Sequence, residues 1–199
     1  MSSDFFLPNE GGEREIDYQH DLYRSLNNDL CRAANKKKIE MLWREYEPLA
    51  WKNFLREAQR DFHQHWWEMY LTVGLLHLSK ASGFKVGTSE SNKGADVNIT
   101  CSDGKCIQIE AIAPTPGDRG KPDSVPESKF GVENFPENEL LLRLTSGLKE
   151  KRDKFKDYLD KETIKGKDAC IIALSTCDLD IYGSLLSATA PAPLKVLAG

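Results

Sequence analysis

Two acids in one stretch of the chain set the chemical question. In "GADVNITCSDGKCIQIEAIAPTPG", Gly94 to Gly117, Asp96 opens one apolar run and Glu110 lies near the end of the next. Asp-Gly between the two runs is a hairpin signal. A turn at Asp103-Gly104 makes arms of similar length, so pairing carries both acids to the same end of a sheet. Two carboxylates that close repel, and one pKa rises unless a cation stands between them. An oxygen-rich site with open positions suits Mg²⁺ or Mn²⁺. Gln108 shares the face of Glu110, two residues away on a strand. The carbonyl of Ala111 is a natural further ligand, and Ala111, Ile112 and Ala113 add no competing polar group. A charge inside "IQIEAIA" interrupts an apolar strand and calls for a partner.

The elements around the acids follow from periodicity. Residues 1–15 are acidic, with Pro8, Gly11 and Gly12, and read as a loosely attached arm. Asp17 to Arg60 has helical spacing, with Leu22, Leu26 and Leu30 recurring, and Pro48 should end a helix near Glu47. A stronger helix is expected over Phe62–Ser79. Its apolar stripe runs through Trp66, Met69, Tyr70, Val73, Leu76 and His77, and Gly83 suits its C-cap. Of the adjacent Trp66 and Trp67, one should be core while the other packs on the N-terminal helices. "FKVGTS", "DVNIT" and "CIQIEAIA" read as strands.

Pro114 to Pro136 reads as a long surface loop. A helix is then expected over Glu139–Lys161, with Leu140, Leu144, Leu148, Phe155 and Leu159 on its stripe and Lys151 where the period wants a hydrophobe. "DACIIALST" reads as a strand buried on both faces. A strand–helix–strand unit with such a strand implies an α/β fold with a parallel pair. Two regions are expected, an N-terminal arm with helical extension over 1–60 and an α/β domain over 61–199.

Helix, "GAD" opening a strand, "IQIEA" on the next, then a long helix and a strand: this order resembles the PD-(D/E)XK nuclease superfamily over about Phe62 to Thr176. The resemblance implies a restriction-endonuclease-like α-β-β-β-α-β core. It implies Asp96 and Glu110 as metal-binding acids, with Glu68 on the preceding helix as a third, and Mg or Mn as cofactor. The lysine two residues after the second acid is replaced by Ile112. A lysine displaced onto the following helix is expected instead, and Lys151 is the foremost choice, ahead of Lys149 and Lys105. The implied activity is metal-dependent hydrolysis of nucleic-acid phosphodiesters, with Asp96, Glu110, Lys151, Glu68 and Gln108 as catalytic residues. The alternative is an inactive nuclease-fold binding or scaffold module.

Nucleic acid, DNA before RNA, is the expected partner, through Arg119, Lys121, Arg143 and Lys149. Lys129 on the loop and Lys151, Arg152 and Lys154 on the helix join them. The interleaved acids of that helix tip the reading slightly toward an ordinary solvated face. A homodimer is an allowed assembly.

Composition narrows the rest. The 199 residues carry a net charge of −4, so any basic binding face must be local. The five cysteines form no C-x-x-C pair, which argues against a zinc site or a disulfide framework and fits a cytoplasmic setting. His63 and His65 point apart on a helix and make no zinc pair. No secretory leader or membrane span is expected.

Overall fold

The structure is a computed structural model, and it describes residues 4–6, 20–89, 93–118, 120–126, 136–177 and 179. Among the described residues three short helices come first: α1 (Asp21–Asn28), α2 (Ala33–Tyr46) and α3 (Phe54–Arg60). Pro48 acts as expected, since α2 ends at Tyr46 and a 3₁₀ turn takes over at Glu47–Leu49. The long helix α4 (Phe62–Ser82) stops where Gly83 adopts φ 71°, a left-handed conformation that costs glycine nothing. Strands β1 (Lys85–Thr88), β2 (Val97–Thr100) and β3 (Cys106–Ile112) follow, then helix α5 (Glu137–Asp160) and strand β4 (Ala169–Leu174).

The fold is mixed α/β, and its four strands lie in the order β1-β2-β3-β4. The first three are antiparallel neighbours, and β4 runs parallel to β3. A parallel pair needs a crossover, and α5 supplies it. Helix α4 packs on β1 and β3, and α5 packs on β3 and β4.

A cluster of buried side chains joins Tyr23, Trp43, Tyr46 and Phe54 to Phe62, Met69 and Val73 of α4. The expected 60/61 boundary therefore falls at a bend between α3 and α4 that one apolar core crosses. The start of the expected loose arm is docked in that core. Phe5 and Phe6 are buried, and both backbone N–H groups donate to the Glu40 carboxylate at 3.0 Å. Two aromatic side chains bury enough apolar surface to offset the ordering of a short segment. The rest of the arm, residues 7–15, lies outside the described residues.

Two further expectations change. Strand β4 is not buried on both faces; Ile171 is 46% exposed, and the first half of the strand is open. It is the last strand of the sheet, and among the described residues only β3 pairs with it. His77 is not a core residue. It lies at the surface, with Nε2 2.5 Å from a carboxylate oxygen of Glu45 on α2. The described part of the 114–136 loop lies largely at the surface, as expected, and is anchored on α5. Val125 is buried against Leu140 and Leu144 of α5, and its N–H donates to the Pro116 carbonyl. Trp66 packs on the N-terminal cluster, while the Trp67 indole donates to the Ala173 carbonyl at 2.8 Å.

Candidate functional site

The site starts from the hairpin. Val97 pairs with Ile109 and Asn98 with Gln108, so the register carried one residue further sets Asp96 opposite Glu110. The Ala111 N–H donates to Asp96 Oδ2 at 2.9 Å, which fixes that carboxylate at the strand edge. Glu110 itself is 0% exposed.

Helix α5 brings the compensating charge. At Gly147 it comes so close to β3 that an added Cβ would lie 2.7 Å from Ile112 Cδ1. Ile112 is thus committed to packing. One helical turn beyond Gly147, on the same face, stands Lys151. Its ammonium lies 2.8 Å from Glu110 Oε2 and 3.6 Å from Asp96 Oδ2. Lys154 adds a second ammonium at 3.3 Å from the same Glu110 oxygen. Tyr158 donates its hydroxyl to Glu110 Oε1 at 3.1 Å. Among the described residues no buried side-chain polar atom lacks a partner.

Helix α4 closes the other side. Gln64 clamps the end of β3: its amide nitrogen donates to the Ala111 carbonyl at 3.1 Å and its amide oxygen accepts from the Ala113 N–H at 3.0 Å. Glu68, four residues on, is buried and accepts from the Tyr46 hydroxyl at 2.7 Å.

Burial sets the electrostatics. It pushes the Glu68 carboxyl up to about 8, and the Asp96 charge adds to the rise against the Tyr46 hydrogen bond. Asp96 also moves up through burial, opposed by Lys151 and Lys154. For Lys151, burial works against the charge, yet Asp96 and Glu110 outweigh it and the ammonium is held above its ordinary range. Burial and the Glu110 charge together raise the Tyr158 hydroxyl.

Asp96, Glu110 and Lys151 therefore stand together. The expected three-carboxylate cage does not: among the described residues no group of three or more His, Cys, Asp or Glu side chains is arranged to hold a metal ion. Glu68 is turned to Tyr46, and the Ala111 carbonyl is taken by Gln64. The hard oxygens of Asp96 and Glu110 still fit a divalent ion, because Mg²⁺ is commonly held by one or two carboxylates plus water and substrate oxygens.

Gln108 lies outside the cluster. Its amide donates to Asp168 Oδ2 at 3.1 Å, because a two-residue step along a strand is about 6.6 Å. Arg143 is not a free surface cation: it donates to the Thr115 carbonyl at 2.8 Å and to Asp123 at 3.1 Å, tying α5 to the loop. Lys121 is exposed and pairs with Asp118 at 2.5 Å, Lys105 pairs with Asp103, and Lys149 is exposed. Arg119 and Lys129 lie outside the described residues.

Sequence reasoning missed Tyr46, Gln64 and Tyr158 altogether, and placed Lys154 only on a phosphate-facing surface. Lys154 and Tyr158 follow Lys151 by three and seven residues, so helical spacing carried a signal. Gln64 and Glu68 are likewise one turn apart. Nothing local marks Tyr46. No family model, curated protein or solved structure matches the chain, so the reading of this cluster rests on its own geometry.

Proposed function

We propose that the chain is a metal-dependent nuclease of the PD-(D/E)XK kind, hydrolysing phosphodiester bonds of nucleic acid, DNA before RNA. The observation that carries this reading is the Lys151 ammonium, delivered from α5 to within 2.8 Å of Glu110 and 3.6 Å of Asp96 on neighbouring strands. The helix–three strands–helix–strand order, with a parallel last pair, supports a restriction-endonuclease-like core.

Asp96 and Glu110 would hold Mg²⁺ or Mn²⁺. When bound, such an ion supplies Lewis-acid charge to the phosphoryl group. Lys151 keeps its proton at neutral pH, so it serves as a fixed positive charge for the oxygens that become more negative in the transition state, not as a general base. Gln64 and Tyr158 hold β3 and Glu110 in place. Exposed Lys149 and Arg152 on α5 are available to phosphates.

A second reading is a binding module without catalysis. It draws on the closure of Glu110, whose oxygens are already taken by two lysines and a tyrosine.

The test is incubation of the purified chain with single- and double-stranded DNA and RNA plus Mn²⁺ or Mg²⁺. We expect cleavage that falls at least about a hundredfold in Asp96→Ala, Glu110→Gln and Lys151→Met, the scale of losing one electrostatic catalytic contact. Undiminished cleavage in those variants defeats the nuclease reading. Salt-sensitive binding without cleavage in the unaltered chain favours the module.

A further inference from the structure

The donors around Glu110 differ in one respect that decides how a cation could reach it. The carboxylate is fully buried and has about four lone-pair positions. Lys151 and Lys154 donate to Oε2, and Tyr158 donates to Oε1. Lys151 is only 9% exposed and is shared with Asp96. Tyr158 is buried between α5 and the sheet. Lys154 is the farther of the two ammoniums from that oxygen, at 3.3 Å, and its side chain is 28% exposed. A long flexible stem can carry that ammonium to solvent while its methylenes stay on the protein.

We infer that Lys154 is a resident counter-ion at Glu110, and that a divalent cation gains this carboxylate only by displacing it. The inference rests on the proposed metal-binding role of Asp96 and Glu110. It adds an autoinhibitory contact: without metal the Lys154 ammonium sits 3.3 Å from Glu110 Oε2 as the more exposed of that oxygen's two lysine partners. Moving outward keeps Lys154 within reach of the solvent side of the cluster, where an anionic phosphate would arrive. The displaced ammonium then becomes a substrate contact, so metal and nucleic acid favour each other's binding. Lys151, enclosed and shared by both acids, stays in place.

Mn²⁺ alone is the probe, with affinity read by calorimetry and by thermal stabilisation. Lys154→Met should bind Mn²⁺ about tenfold more tightly than the unaltered chain, the scale of removing one close ammonium at a half-buried site. Lys156→Met removes the same charge from the exposed face of the same helix and should stay within about twofold, since solvent screens it. Glu110→Gln should lose the binding in either background. Metal-free melts of each variant check that it folds, with Lys154→Gln as a second variant should Lys154→Met fold poorly. Equal or weaker Mn²⁺ affinity in the Lys154 variants overturns the inference while leaving the metal site standing. Absence of Glu110-dependent Mn²⁺ binding in all variants overturns the metal site and the inference with it.

Discussion

Glu68 shows what burial does to a single side chain. Its carboxyl is enclosed, feels the Asp96 charge and has one strong donor in Tyr46, and its pKa is pushed up to about 8. The folded protein therefore binds this proton more tightly than the unfolded chain, where the value is near 4.5. Stability from this group is fully present below the unfolded value and is lost as pH rises through about 8. Asp96 moves in the same direction and adds to the trend. Urea midpoints of the metal-free protein should fall as pH is raised from about 5 to about 8, with a slope of up to about 1.4 kcal/mol per pH unit from Glu68. Glu68→Gln keeps an acceptor for Tyr46 and should flatten that slope. A slope identical in Glu68→Gln would mean that Glu68 is not the titrating group. Lys151, raised above its ordinary value, is charged across this whole window and contributes no slope to it.

At the scale of elements, the approach of α5 to β3 makes the cluster. Gly147 sits at the crossing, and the nearest obstacle to an added methyl is the tip of Ile112. A side-chain tip can rotate, and alanine is the better helix former by about 1 kcal/mol. Gly147→Ala should therefore stay within about 1 kcal/mol of the unaltered chain in denaturant melts. Gly147→Leu should cost about 1–3 kcal/mol by overpacking, lift α5, and draw Lys151 away from Glu110. The proposed nucleic-acid cleavage should then fall more than stability alone accounts for. Full activity in the Gly147→Leu variant would show that the crossing tolerates a wider gap. The same crossing explains how much of the site was readable beforehand. Lys151 announced itself as a polar break in an apolar stripe. Tyr158 was not singled out, and Arg143 looked like a phosphate ligand because its staple partners, Thr115 and Asp123, are 28 and 20 residues away.

Across the whole molecule, one buried aromatic cluster joins the N-terminal helices to α4. Phe54 stacks on Trp43 at 5.7 Å and packs on Tyr46 at 4.6 Å, and the Tyr46 hydroxyl reaches Glu68 of α4. The Thr88 hydroxyl, at the end of β1, donates to the Leu49 carbonyl. Phe54→Ala should destabilise by about 3–5 kcal/mol. It should lower one cooperative transition, with tryptophan fluorescence and far-UV dichroism moving together. Two separated transitions would show that the helical layer folds apart from the sheet. The net charge of −4 gives no long-range pull on nucleic acid, so the proposed binding would have to come from the local lysines of α5 and should weaken with salt.

The sequence by itself determined the order of elements and the meeting of Asp96 with Glu110. Both are local consequences: a period of two along each strand and an Asp-Gly turn a few residues away leave the hairpin little choice of register. Only the tertiary structure decided which groups neutralise Glu110, that Glu68 turns to Tyr46, and that β4 is the last strand of the sheet among the described residues. Those outcomes depend on how helices distant in sequence settle against the strands. A buried carboxylate takes whichever donors that packing brings within reach, and no spacing along the chain encodes the distance.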